Sequence, residues 1–139
     1  MTHLSKNLVY FGMGLFALTI LFRLLLSHLL QATQFNAVWL LATVYTVAVF
    51  SLGWVFGKKD KQFLPLFDIG FRIHATTYVI SNAVAECWLL LGLLSDYESP
   101  RIIHLTALFW GLGLLLHGLL YLLSRKQAIK GIKRTDLFE

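Results

Sequence analysis

The chain has 139 residues, 58% of them hydrophobic and only 14% charged, with a net charge of +5. A soluble domain of this length carries a larger charged surface, and the chain is too short for two ordinary domains. The basic residues sit beside apolar stretches, so the charge points to anionic lipid headgroups and topology control and not to nucleic acid.

Met1 to Asn7 is polar and weakly basic, and a first apolar span follows over about 8–30. The run is too long for a signal peptide and Arg23 interrupts it, so it reads as a retained helix. Gln31 to Asn36 is a short polar turn. A second span over about 37–56 ends at Gly57 before Lys58 and Lys59, a reasonable helix stop. In the connection from Lys58 to Gly70, the part from Phe63 to Ile69 is apolar and contains Pro65. It reads either as a segment lying on the membrane surface or as a loop over the bundle end. Asp68 is a candidate cap for the third span, over about 71–94. Ser95 to Pro100 is an acidic turn, and Pro100 suits the first turn of a fourth span over about 102–123. Residues 124–139 form a basic tail. Each span reaches the roughly 20 residues that a bilayer crossing needs. The expected fold is an all-α antiparallel four-transmembrane-helix bundle, a single domain. Trp39 and Trp54 read as belt anchors near opposite ends of the second span, and Trp88 and Trp110 as deeper packing residues. Cys87 is the single cysteine and reads as a small buried packing residue.

Charge sets the topology. With four spans, Lys6, Lys58, Lys59, Lys61, Arg72, Arg125, Lys126, Lys130, Lys133 and Arg134 all fall on one side, and Arg101 on the other beside Asp96 and Glu98. The positive-inside rule places both termini in the cytoplasm. Lys58, Lys59, Lys61, Arg125 and Lys126 then form a basic face toward anionic headgroups.

The third span carries His74, Tyr78, Asn82 and Glu86, each four residues after the last, which keeps them in one curved stripe. A carboxylate facing lipid is expensive, so the stripe calls for partner helices. Depth counted from the cytoplasmic ends pairs Tyr78 with His117 and His74 with Tyr121, an interhelical polar clamp in which Gly111 and Gly113 allow close approach. A cytoplasm-facing pocket and a metal role for the histidines are the alternatives. Arg23 and Glu86 lie equally deep, about fifteen residues into their spans by this count. Pairing offsets the cost of burying either ion alone. The expectation is therefore contact between spans one and three, with Arg23 bonded to Glu86 and with Thr19, Ser27 and Asn82 completing the network.

Phe71, His74, Tyr78 and Asn82 on the third span, and Trp110, Gly111, Gly113, Leu114, His117 and Gly118 on the fourth, carry a resemblance to a bacterial two-helix membrane module, the 2TM domain. The likeness covers about residues 68–139 and includes the basic run after the fourth span. That family occurs alone or joined to signalling domains such as histidine kinases, which implies an accessory or signal-relay role in the bacterial inner membrane. The resemblance carries no established chemistry. This chain adds two helices in front, places Glu86 within the module's first helix, and has no kinase domain behind.

No phosphate-binding glycine loop, metalloprotease helix, dinucleotide fingerprint or nucleophile elbow is present. The leading reading is a small non-enzymatic membrane protein that interacts with another membrane protein, itself (a homodimer) or lipid. One alternative is an intramembrane enzyme or redox protein acting on lipid or quinone. Another is an oligomeric transporter using Arg23 and Glu86. No cofactor is called for. A b-type haem between His28 and His104, whose depths match, is the cofactor alternative, and metal capture by these histidines with Asp96 and Glu98 is a further one.

Overall fold

A computed structural model of the chain describes residues 6–60 and 66–130. It consists of four helices: α1 (Lys6–Gln31), α2 (Phe35–Asp60), α3 (Leu66–Leu90) and α4 (Pro100–Lys130). The all-α four-helix bundle matches the fold read from the sequence. α1, α2 and α4 are long and apolar enough to cross a membrane. α3, at 25 residues, rises about 37 Å and is equally long enough. Its lower hydropathy comes from the polar stripe, which the other helices partly cover. Many large apolar side chains stay exposed, among them Trp39, Phe50 and Leu116, as lipid contact requires.

The packing is not a closed square. α1 packs against α2 and α3, α2 also touches α3, and α3 packs against α4. Among the described residues, α4 makes helix contact with α3 alone. Leu8, Phe11, Leu15, Thr19 and Arg23 are the buried residues of α1, one stripe at spacings of three and four. Its apolar part meets Val49, Leu52 and Phe56 of α2 and Ile73 and Ile80 of α3. Arg23 is the last buried position of that stripe, and the pairing it finds there decides how the α3–α4 connection docks.

Helix ends follow capping chemistry and shift several expected boundaries. Gly92, with φ +67°, stops α3 four residues before Leu94. The N–H of Leu93 bonds to the carbonyl of Trp88, and that of Gly92 to Leu89, a Schellman arrangement. The same pattern ends α1 at Thr33, which holds φ +55°, a conformation rarely adopted by a β-branched residue. α3 begins at Leu66, so Asp68 stands in its first turn and does not cap it. It takes a bidentate pair from Arg72, at 2.8 and 3.0 Å. Leu66 and Phe67 thus belong to a helix and not to a surface loop, while Lys61, Phe63, Leu64 and Pro65 lie outside the described residues. Arg125 and Lys126 fall in the last part of α4. Cys87 is exposed, contrary to expectation, because the neighbouring Val84 and Trp88 take the inward positions.

Candidate functional site

The expected clamp between α3 and α4 is present, one turn out of the expected register. His74 Nδ1 lies 3.0 Å from His117 Nδ1, and Trp110 Nε1–H donates to His74 Nε2 at 2.8 Å. Indole nitrogen only donates, so His74 Nε2 accepts and its proton sits on Nδ1. That proton is donated to His117 Nδ1, leaving the His117 proton on Nε2. The chain Trp110→His74→His117 is complete with both rings neutral. Phe71, and not His74, meets Tyr121, with the rings stacked 5.4 Å apart, and Phe71 also packs edge-on against His117. Tyr78 donates to the carbonyl of Ala107 at 3.2 Å. The register follows the connected ends of the two helices: from Leu90 of α3 and Pro100 of α4, His74 and His117 stand 16 and 17 residues away, whereas the far ends at Leu66 and Lys130 do not lie level.

Gly111 has the role assigned to it. A Cβ there would lie 3.0 Å from the Tyr78 hydroxyl, so glycine lets that hydroxyl reach the α4 backbone. Gly113 does not share the role, since a Cβ there would meet nothing within 4 Å. Gly118 takes its place, facing the Phe71 ring at 3.2 Å. Asn82 donates to the carbonyl of Tyr78 on its own helix at 2.7 Å and adds no bond across helices.

Arg23 is not bonded to Glu86. Its NH1 donates to Glu98 Oε1 at 2.7 Å, and the two side chains are only 10% and 9% exposed. The expected contact between α1 and α3 does form. Glu86, however, is four residues from the end of α3 and turns outward to His104, with Oε1 2.9 Å from Nδ1 and with 39% and 58% exposure for the two side chains. Glu98 comes from the connection before α4, which folds back onto α1. Its Oε2 accepts from the backbone N–H and hydroxyl of Ser95 and from the Ser27 hydroxyl. Trp88 Nε1–H donates in turn to Ser27 Oγ at 3.1 Å. Ser27 thus joins the Arg23 network as expected, whereas Thr19 and Asn82 bond elsewhere. The Arg23 Nε–H is buried without an acceptor. An unsatisfied buried donor costs about 1–3 kcal/mol, more on a charged group.

Asp96 accepts from Gln31 at 3.3 Å, so Asp96 and Glu98 each serve α1. Among the described residues no three His, Cys, Asp or Glu side chains converge. His104, expected opposite His28, has Glu86 as its partner.

Because α4 leans on α3 alone, a cleft of about 1020 Å³ opens between α2 and α4. α1 and α3 form its floor, and it extends from Lys58 at one end to Arg23, Tyr97, Glu98 and Ser99 at the other. Its walls are mostly apolar, with Val49, Phe50, Trp54, Ile73, Ile102 and Trp110 among them. Lys58 Nζ lies 5.7 Å from the centroid of the Trp54 ring. Midway, a hydroxyl chain crosses three helices. Thr19 donates to its own Leu15 carbonyl at 2.7 Å and therefore accepts from Tyr45 at 2.9 Å, which leaves Tyr45 to accept from Ser81 at 3.4 Å. Tyr45 also stacks on Phe22 at 4.3 Å. Thr77 donates to Ile73. The hydroxyls of the floor therefore spend their donors within the protein, and what remains for a guest is mostly hydrocarbon wall, the Thr106 hydroxyl, and a cation at each end, Lys58 and Arg23.

No curated protein and no solved structure matches the chain. The family model of the 2TM domain matches residues 68–134, which begin at Asp68 in the first turn of α3 and cover the clamp, the Glu98 turn and α4. The second half of this small integral membrane protein is thus similar to the 2TM domain family, and α1 and α2 lie outside that match.

Proposed function

We propose that the protein is a non-enzymatic accessory module that holds a hydrophobic guest from the bilayer in the cleft between α2 and α4. The cleft itself carries this reading: it has the upper end of the volume range of ligand sites, about 300–1,000 Å³, and apolar walls. The internally bonded floor supports holding over nucleophilic chemistry, since Thr19 and Thr77 each donate their proton to a backbone carbonyl. The α3–α4 clamp keeps one wall rigid against the floor.

Mass measurement of the intact protein released from a mild detergent tests the reading. Wild type carries a noncovalent adduct, and filling the cleft with Thr46→Phe and Ala85→Phe removes it. A wild-type protein without an adduct overturns the reading, as does an adduct that survives filling.

The basic residues support an orientation with both termini on the cytoplasmic side of an inner membrane, with Lys58 and Lys59 at the same face. Thiol labelling of single cysteines placed at position 2 and position 96, in a Cys87→Ser background, reads this directly. The first is protected from outside and the second is labelled; the opposite pattern refutes the orientation.

A further inference from the structure

The charge balance and the unmet donors at one end of the cleft say what kind of guest it takes. Arg23 lines the cleft and has five N–H donors, of which one is bonded, to Glu98. Its Nε–H is buried with no acceptor and sealed from the cleft, so it is the unbonded Nη hydrogens that can meet a guest. Glu98 already neutralises the guanidinium, so a second full negative charge would be left uncompensated in a water-poor site. A neutral acceptor, a carbonyl oxygen, suits it. Depth narrows the source. Glu98 stands two residues before α4 begins at Pro100, and α1 runs eight residues past Arg23 to Gln31, so the long Arg23 side chain meets Glu98 toward this end of the bundle. That is the boundary between hydrocarbon and headgroups, where the ester groups of bilayer lipids reside. Beyond the level of Tyr45 alone the cleft follows α2 for about 20 Å to Lys58, more than the about 15 Å of hydrocarbon in one leaflet, so a chain entering at Arg23 ends within it.

We propose that the cleft takes one acyl chain of a glycerolipid from the leaflet at the Arg23 end, with the chain's ester carbonyl accepting a hydrogen bond from the Arg23 guanidinium. The chain lies over Ser81, Thr77 and Ile73, between Phe50 and Ile102. The phosphate and headgroup stay in the interface beyond Ser99, so the site selects for the ester and the chain and is indifferent to headgroup charge. This rests on the holding role proposed above and names the guest.

The test uses the full-length protein purified with its membrane lipid, then exchanged into diacyl phosphatidylcholine or phosphatidylglycerol carrying a ¹³C-labelled ester carbonyl. In wild type, the infrared ester band shows a hydrogen-bonded component of about one ester per protein, equal for both headgroups. In the Arg23→Met/Glu98→Gln double variant that component is lost while the lipid adduct remains. The double change leaves no unpaired ion, and a helical circular dichroism spectrum equal to that of wild type confirms its folding. If it does not fold, Arg23→Lys, which keeps the charge but presents a smaller donor set, serves instead and reduces the component at least twofold. An adduct that depends on the cleft but whose ester band is unchanged in the variant overturns the ester contact and leaves the holding role standing. An adduct with the mass of a second copy of the protein overturns the lipid assignment, and a component seen with phosphatidylglycerol alone overturns the indifference to headgroup charge. Absence of any cleft-dependent adduct overturns both.

Discussion

Glu98 and Glu86 exchange the roles that their positions in the sequence suggest. Glu86 stands within a helix, yet it faces outward and is half-exposed with His104. Glu98 stands in a turn, yet it is buried against Arg23. Removing one partner of a buried pair costs about 3–5 kcal/mol, because the other charge is left without compensation, whereas an exposed pair contributes about 0–1 kcal/mol. Glu98→Ala is therefore expected to lower stability by roughly 3 kcal/mol or more, and Glu86→Gln by less than about 1 kcal/mol. Steric-trap or denaturant unfolding in bicelles measures both. Equal losses would show that Glu86 carries a load that its exposure does not account for. The contrast also explains why the expected Arg23–Glu86 pair fails. Distance along two helices gives depth alone, while the azimuth of each side chain and the fold-back of a connection decide which groups meet.

Two helices are joined as α3 and α4 are when a small residue on one admits a large side chain from the other. Gly111 admits the Tyr78 hydroxyl to the Ala107 carbonyl. Tyr78→Phe should cost about 1 kcal/mol, the net worth of one such bond. Gly111→Ala in wild type should cost more, since the new Cβ displaces the hydroxyl from its acceptor. In the Tyr78→Phe background the nearest remaining atom is the ring Cζ at 3.5 Å, an ordinary contact, so Gly111→Ala should there be nearly neutral. A double-mutant cycle on thermal unfolding measures the coupling, and additive effects would reject this packing account. How much of this was legible differs from feature to feature. The helices were readable because a span of apolar residues has one solution in lipid. His74, Tyr78, Trp110 and His117 were readable as a cluster because polar groups at helical spacing must meet a partner helix. Their register was not, since it is set at the connected ends, by where α3 stops at Leu90 and α4 starts at Pro100. The Thr19–Tyr45–Ser81 chain had a faint signal at most: one hydroxyl at the inward position on each of three helices. The cleft had none, because it follows from which pairs of helices fail to touch.

At the scale of the molecule, the chain consists of two hairpins joined along one seam. α1 holds α2, α3 holds α4, and the main contact between the pairs is α1 on α3, reinforced by the Arg23–Glu98 pair. Helix contact between α2 and α3 adds less to that seam. Residues 1–60 and 66–139, produced as separate polypeptides in one membrane, are expected to associate and to co-purify through a tag on either piece. With Glu98→Ala in the second piece, recovery should fall at least tenfold. Recovery unaffected by that change would mean that the apolar stripe of α1 suffices on its own.

The absence of helix contact between α4 and either α1 or α2 has a consequence for how such a protein can change over generations. A residue on the open flank of α4 has few neighbours whose substitutions must be matched to its own. It can be exchanged without repair elsewhere, whereas Leu15 and Phe11 sit in a cluster shared with α2 and α3, and Arg23 is tied to the buried Glu98. Variation is therefore cheap along one border of the cleft and costly along its floor. A lineage can retune what lies in that space by altering α4 alone, leaving the seam that assembles the hairpins intact.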